Sequence, residues 1–424
     1  MQRHLARAFG VGARRGLCTN SRGMVEVPQE RLSQLIRAEA MTMASRETRG
    51  YSVNDMLELW DTPNINALKI SARFIYHELP IRYAVRTKEL ENAPSWIKTK
   101  DFMEVFELYA KSFEDLRMLP EPYDMEGLER FAELLEMIKL RNAGVVPKLG
   151  SVVAEVRDKG LLESPRHTAY VNQYLNQFFS SRIGSELLVS QHLALHKAVQ
   201  QPDSNFARDK TRAGMLKKNC KPAEIIKDAV DHATRLCDRQ FGKAPEIVLR
   251  GDLEATFPYF PDQLYYISFE LLKNAMRATS EYHAERPSLP PVQIVISHSD
   301  DTQDAKFKNL GIQIQDEGGG IQLEQIHKVW QYSFTTVKKE TIGQKEKDGG
   351  TGLYMVNETD KRADPLAGLG FGLPLSRLYA QAFGGTLKLT TLEGWGSTAY
   401  LHLNRSGNGK VIEHTGNLEF STRG

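Results

Sequence analysis

The stretch Phe269-Glu-Leu-Leu-Lys-Asn-Ala-Met-Arg-Ala278 decides how the second half of this chain reads. Glu270, Asn274 and Arg277 recur at i, i+4 and i+7 and so share one stripe of a helix, while Leu271, Leu272, Ala275 and Met276 are placed to face a core. One helix face therefore offers a carboxylate and an amide together. An amide oxygen beside a carboxylate suits a hydrated Mg²⁺ that draws its other ligands from phosphates. Taken alone, the same spacing also describes the solvated face of an amphipathic helix.

Two further stretches give this helix a context. Asp316-Glu-Gly-Gly-Gly320 follows a strand-like run over 311–315, so an acidic side chain stands at a strand end where Gly318 and Gly320 let the backbone turn or approach a flat ligand. A purine amino group is a fitting donor to Asp316, although Asp before glycines is also a common turn. Downstream, Gly368-Leu-Gly-Phe-Gly372 precedes a helix beginning near Leu373-Pro374, and the unpaired N–H groups of such a start bind phosphate. A dinucleotide-binding loop would need a buried strand before the glycines and an acidic residue about 20 residues later. A polar loop precedes them here, which excludes that reading.

Outward from these motifs the chain divides in two, as 424 residues permit. Over 64–200 the apolar residues fall at helical spacing, as in Phe102, Val105, Phe106, Tyr109 and Phe113, then Leu128, Phe131, Leu134, Leu135 and Ile138. Breaks at Pro80, at 119–123 and at 163–166 predict four long helices of up to about 30 residues and no strand. After a polar stretch over 200–217, helices are expected at 222–241, 262–283, 323–332 and 371–383. Strands are expected at 246–250, 292–298, 311–315, 386–391 and 397–403. The predicted architecture is α + α/β: a four-helix bundle followed by an α/β sandwich over 218–405 with its helices on one face of the sheet, and a tail over 406–424.

Composition narrows the function classes. Hydrophobic residues make up 41% and charged residues 25%, and no apolar run approaches the roughly 20 residues that span a bilayer. The formal net charge of +2 comes from Arg3, Arg7, Arg14, Arg15 and Arg22, all within 1–23, a segment without Asp or Glu; the remainder carries 50 basic against 53 acidic residues. No concentrated basic face points to nucleic acid. The arginine-rich, acid-free start, with Leu5, Ala6, Phe9, Val11 and Leu17 between the arginines, reads as a mitochondrial transit peptide. Cys18, Cys220 and Cys237 show no metal-ligand spacing, which fits a reduced compartment.

The order of these motifs within about 105 residues resembles the GHKL (Bergerat-fold) ATPase superfamily of histidine kinases, Hsp90-type chaperones and MutL-type repair proteins. Residues 269–279, 365–381, 392–396 and Arg235-Leu-Cys237 are more closely similar to the mitochondrial kinases that phosphorylate pyruvate dehydrogenase and branched-chain 2-oxoacid dehydrogenase. His77-Glu-Leu-Pro-Ile-Arg82, Val145-Val-Pro147 and Gln191-His192 extend the similarity to most of 65–404. The resemblance implies a mitochondrial-matrix protein serine kinase that transfers the ATP γ-phosphoryl group to the E1α subunit of a 2-oxoacid dehydrogenase complex and inactivates it. It also implies that 64–200 docks the lipoyl domain of E2 and that the nucleotide domain forms a homodimer.

For individual residues the resemblance implies that Asn274 coordinates Mg²⁺, Glu270 acts as general base or orients the attacking hydroxyl, and Asp316 binds the adenine amino group. The run Glu270, Leu271, Leu272, Lys273, Asn274, Ala275, Met276 and Arg277 contacts the nucleotide, with Gly318, Gly320, Thr335, Thr336 and Ser397 around it. Gly368, Leu369, Gly370, Phe371, Gly372 and Leu373 wrap the phosphates, and 337–367 forms an ATP lid. Asn142 stands where the family usually has a histidine facing the glutamate, Glu186 where it usually has arginine, and Ser397-Thr398 where it has Thr-Asp. The chain stops at Gly424 without the long tail of some pyruvate dehydrogenase kinases. Asn142 leaves open a catalytically weak, ATP-binding regulatory subunit. His192 and His196, one turn apart, are expected to pack within the bundle or against the other domain. Residues 235–245 look more like the branched-chain kinase and 365–394 more like the pyruvate kinase, so the substrate stays open.

Overall fold

The computed structural model describes residues 16–20, 23–27, 29–60, 63–298, 309–332, 334 and 370–404. A short hairpin, β1 (Gly16–Asn20) with β2 (Gly23–Val27), and helices α1 (Gln29–Met43) and α2 (Val53–Leu59) come first. Five helices follow: α3 (Ile65–Glu91), α4 (Lys100–Met118), α5 (Met125–Arg141), α6 (Val145–Asp158) and α7 (Pro165–Gln200). Their starts are written locally. Asn64 accepts from the N–H groups of Asn66 and Ala67, Thr99 from Phe102, and Asp124 from Gly127, while Pro165 occupies the first turn of α7.

Two boundaries differ from the sequence expectation. α3 runs straight through Pro80, and the chain breaks at 92–99 instead. Proline in a helix interior costs about 3 kcal/mol. Leu68, Ala72, Ile75 and Leu79 on the same helix are almost wholly buried, and burial of a Leu or Ile side chain contributes roughly 1.5–3 kcal/mol each, which outweighs that cost. A second break at 142–144 separates α5 from α6, so the region holds five helices where four long ones were expected.

The second half opens with a small antiparallel sheet of β3 (Arg212–Ala213), β4 (Leu216–Cys220) and β6 (Phe257–Tyr259), which the polar composition of 200–217 concealed. The main sheet has the order β5-β7-β8-β10-β9, from β5 (Ile247–Gly251), β7 (Val292–His298), β8 (Asn309–Gln315), β10 (Gly396–Asn404) and β9 (Thr386–Leu392). Only β5 and β7 pair in parallel, as α9 (Pro261–Tyr282) crosses between them; Ile294 faces Ile314 and Leu401 faces Ile312 across the antiparallel ladders. Alternation puts Ile294, Ile296, Ile312, Ile314, Leu401 and Leu403 on one face. There they are buried under α9 and α10 (Gly372–Ala382), with α8 (Pro222–Phe241) packed against α9 and Leu264, Ile267, Leu272 and Met276 of α9 among the buried core.

The helix expected over 323–332 is absent. Those residues form turns and one 3₁₀ turn at Lys328–Trp330. Leu323 is 80% exposed, so an apolar face there has nothing to bury against, and the backbone of Tyr332 is claimed by a side chain of α7.

Candidate active site

α9 is the axis of the site. Leu271, Leu272, Ala275 and Met276, which belong to the run expected to contact the nucleotide, are all buried in the core, and their contribution is to seat the helix. Glu270 sits at the edge of that core, 3% exposed, with Oε1 accepting from Lys273 Nζ at 2.7 Å. The ammonium of Lys273 also lies over the Phe269 ring, which stacks on His232 and on Tyr265. One turn on, Asn274 is exposed, and Arg277 pairs with Glu281 along the same helix (2.7 Å).

The glycine-rich turn meets this carboxylate directly. A Cβ at Gly372 would overlap Glu270 Oε2, so only glycine brings the start of α10 this close. Gly370 turns with φ 80°, and a Cβ there would stand 2.5 Å from the carbonyl of Phe334. No side chain caps the N-terminus of α10. Its first-turn N–H groups and the positive end of its dipole therefore lie beside Glu270. Leu373 is half-buried, and Phe371 is fully buried among aromatic rings; its side chain joins the two halves of the molecule.

The Asp316 loop closes the other end. Asp316 is 8% exposed, and its Oδ1 accepts from the N–H groups of Gly318 (2.9 Å) and Ser397 (3.3 Å), while burial raises its pKa above the ordinary carboxylate range. Gly318 packs on α9 where a Cβ would come within 2.8 Å of the Thr279 nitrogen. Gly320, at φ 69°, turns against the carbonyl of Leu392, and Thr391 Oγ1 accepts from the N–H of Ile321 (2.7 Å) and meets Ser397 Oγ at 3.0 Å. The two glycine contacts bracket α9 from Glu270 to Ala278, a span of roughly 12 Å at 1.5 Å per residue. Thr335, Thr336, Gly368, Leu369 and the expected lid over 337–367 lie outside the described residues.

Known proteins carry the same two halves. Residues 50–217 match the family model described as mitochondrial branched-chain alpha-ketoacid dehydrogenase kinase, and 260–407 that of the histidine kinase-, DNA gyrase B- and HSP90-like ATPases. The mitochondrial [pyruvate dehydrogenase (acetyl-transferring)] kinase of Arabidopsis thaliana is 34% identical over 360 residues, covering 84% of this chain and 91% of that protein. The chain belongs to the mitochondrial 2-oxoacid dehydrogenase kinase family. Isozyme 1 of the pyruvate dehydrogenase kinases of Rattus norvegicus is 32% identical over 82% of this chain and 76% of its own length, and isozyme 4 of Homo sapiens 30% over 82% and 80%. These relatives are mitochondrial, and no helix among the described residues of this kinase is long and apolar enough to cross a membrane.

Within the kinase, the departures from the family pattern have definite surroundings. Asn142 is fully buried at the end of α5, where its Nδ2 donates to Tyr83 (3.1 Å) and Ser112 (3.3 Å) and its carbonyl accepts from Arg182 (2.9 Å). Its Oδ1 has no hydrogen-bond partner. These bonds run into the helical core, whereas Glu270 is held by Lys273. Glu186 pairs with Arg182 (3.3 Å) on the wall of a small pocket that Arg82 and Arg86 also line. His192 packs inside the helices as expected, bonded to Ser71 (2.9 Å) and edge-on to Phe131, and burial pushes its pKa down to about 3. His196 pairs with Glu129 (3.1 Å). Lys273 as the partner of Glu270, and the α7 side chains that hold Tyr332, were not singled out by sequence; an asparagine on a helix carries no signal of what it will meet.

Proposed function

We propose that this kinase works in the mitochondrial matrix and transfers the γ-phosphoryl group of ATP to a serine of the E1α subunit of a 2-oxoacid dehydrogenase complex, inactivating it. The observation that carries the reading is the meeting of Glu270 with Gly372, a fixed carboxylate beside the uncapped start of α10, with Asp316 at the far end of the same helix. Phosphoryl transfer asks a protein mainly for positioning and charge stabilisation. The N–H groups of α10 and its dipole would hold phosphate oxygens, Asp316 would accept from the adenine amino group, and Glu270 would take the proton of the attacking serine hydroxyl at its carboxylate.

The site also fits Mg²⁺. Asn274 is exposed one turn from Glu270, its amide oxygen is a ligand of the hard type that such an ion prefers, and the open face leaves room for its waters. Mg²⁺ would supply charge neutralisation of the phosphates. A helical bundle within 64–200 that docks the E2 lipoyl domain, a Bergerat sandwich over 218–405 that dimerises, and a transit peptide over 1–23 complete the proposal. Support for these comes from the family likeness and from the arginine-rich start.

Transfer of labelled phosphate from Mg-ATP to purified pyruvate and branched-chain E1 tests the reading. Phosphorylation by the wild type that disappears in Glu270→Ala supports it, and the preferred E1 fixes the substrate. The buried Asn142, bonded away from Glu270, favours a second reading, an ATP-binding regulatory subunit with little turnover. Tight ATP binding without transfer, and transfer appearing in Asn142→His, would establish that second reading.

A further inference from the structure

α7 belongs to the helical half, yet it holds a residue of the candidate site. The N–H of Tyr332 donates to Asn172 Oδ1 (2.8 Å) and its hydroxyl to Asn176 Oδ1 (3.0 Å). The two asparagines are one helical turn apart and so present both acceptors on one side. Asn172 is itself fixed, its Nδ2 donating to the carbonyl of Thr168 (2.8 Å). The Tyr332 ring is wholly buried between Phe179 of α7 (centroids 5.6 Å apart) and Phe371 (5.1 Å), and burial keeps the phenol protonated as a donor. Next to it, Trp330 lies under the guanidinium of Arg377 on α10 (4.7 Å).

What Tyr332 supports is the glycine turn. A Cβ at Gly370 would stand 2.5 Å from the carbonyl of Phe334 and 3.3 Å from that of Tyr332, so this backbone is the floor on which Gly370 turns. Two residues later Gly372 rests on Glu270. A close-packed interior transmits a shift at Tyr332 to Gly370 instead of absorbing it.

We propose that Asn172 and Asn176 are positioning residues for the nucleotide site: by holding Tyr332 they set the height of the Gly370 turn and, through it, the start of α10 against Glu270. The helical half thereby controls nucleotide affinity through two side-chain amides. The inference rests on the reading of Glu270 and Gly372 as part of an ATP site.

The test is calorimetric titration of Mg-ADP into the full chain, carried out on the wild type, Tyr332→Phe, Asn176→Leu, Asn176→Asp and the double variant Tyr332→Phe/Asn176→Leu, with thermal midpoints measured alongside. Loss of one buried hydrogen bond predicts affinity about five- to ten-fold weaker in Tyr332→Phe and in Asn176→Leu. The double variant should be no weaker than either single one, because both remove the same bond. Asn176→Asp keeps an acceptor and should restore wild-type affinity. A joint that only holds the two halves together would lower the thermal midpoints and leave the Mg-ADP affinity unchanged, which overturns the inference. Should Asn176→Leu fail to fold, Tyr332→Phe decides alone. A wild-type chain that binds no Mg-ADP removes the functional reading and this inference with it, whereas normal wild-type binding with undiminished affinity in Tyr332→Phe removes the inference only.

Discussion

Glu270 Oε2 lies against Gly372 so closely that nothing larger than hydrogen fits at position 372, while the other oxygen of the same carboxylate accepts from Lys273. The carboxylate is thus fixed from both sides, by the start of α10 and by an ammonium on its own helix, and nearly removed from water. Each partner makes a separate, measurable demand on the site.

Gly372→Ala must push either Glu270 or the start of α10 aside. Overpacking a tight site costs typically 1–3 kcal/mol, and the displaced carboxylate no longer faces the α10 N–H groups. We expect a folded protein, about 1–3 kcal/mol less stable in urea denaturation, with phosphoryl transfer reduced at least about 100-fold. Unchanged transfer in a folded Gly372→Ala protein would show that the contact with Glu270 is dispensable.

Lys273→Met strips the ammonium from a carboxylate that remains buried. Breaking one side of a buried ion pair costs about 3–5 kcal/mol. Adding Glu270→Gln should recover most of that loss, because the remaining group is neutral. Denaturant midpoints of the two single variants and the double variant form a thermodynamic cycle, and additive losses would show that the pair is not coupled.

Asp316→Asn keeps an oxygen for the N–H groups of Gly318 and Ser397 but replaces the carboxylate. Burial raises the folded pKa of Asp316 above its unfolded value, so the folded chain binds the proton more readily and Asp316 costs stability as pH rises through and beyond that window. At neutral pH the variant should therefore be at least as stable as the wild type, with the advantage fading below the ordinary carboxylate range. Its affinity for Mg-ATP should fall about ten-fold or more, since an amide replaces the acceptor for the adenine amino group. Thermal scans at two pH values and a nucleotide titration check both halves of this expectation.

His192 makes an opposite demand. Its folded pKa is lowered to about 3 from 6.5, so the unfolded chain takes up a proton that the fold refuses, and stability is lost as pH falls from 6.5 towards 3. His192→Asn should flatten the decline of stability with acidity by up to about 1.4 kcal/mol per pH unit in that window. Parallel declines for both proteins would mean that His192 is protonated in the folded state.

Legibility from sequence followed locality. α8 was delimited at 222–241 and β7 at 292–298 because a caesura of proline, glycine or charge stands at each end and the apolar period between is unmixed. Pro80 misled because its local penalty is real but smaller than the burial around it. The segment around 323–332 misled in the reverse sense, having apolar residues at helical spacing but no surface to cover with Leu323. Glu270, Asn274, Asp316 and the glycines stand out as candidates by type and spacing. That Phe371 turns into the junction with Phe179, and that Asn142 bonds to Tyr83, could not be read from spacing at all.

The sequence by itself determined most of the helices and strands after residue 217, though neither β6 nor the turns over 323–332, together with the carboxylate and amide on one stripe of α9 and the family to which the whole belongs. Those are properties of residue type and short period, set within a few turns of chain. Only the tertiary structure decided that Glu270 is buried against Gly372 and that Tyr332 is held by Asn172 and Asn176, 160 and 156 residues away. Contacts at such separations form when packing brings distant faces together, and no local pattern records which faces will meet.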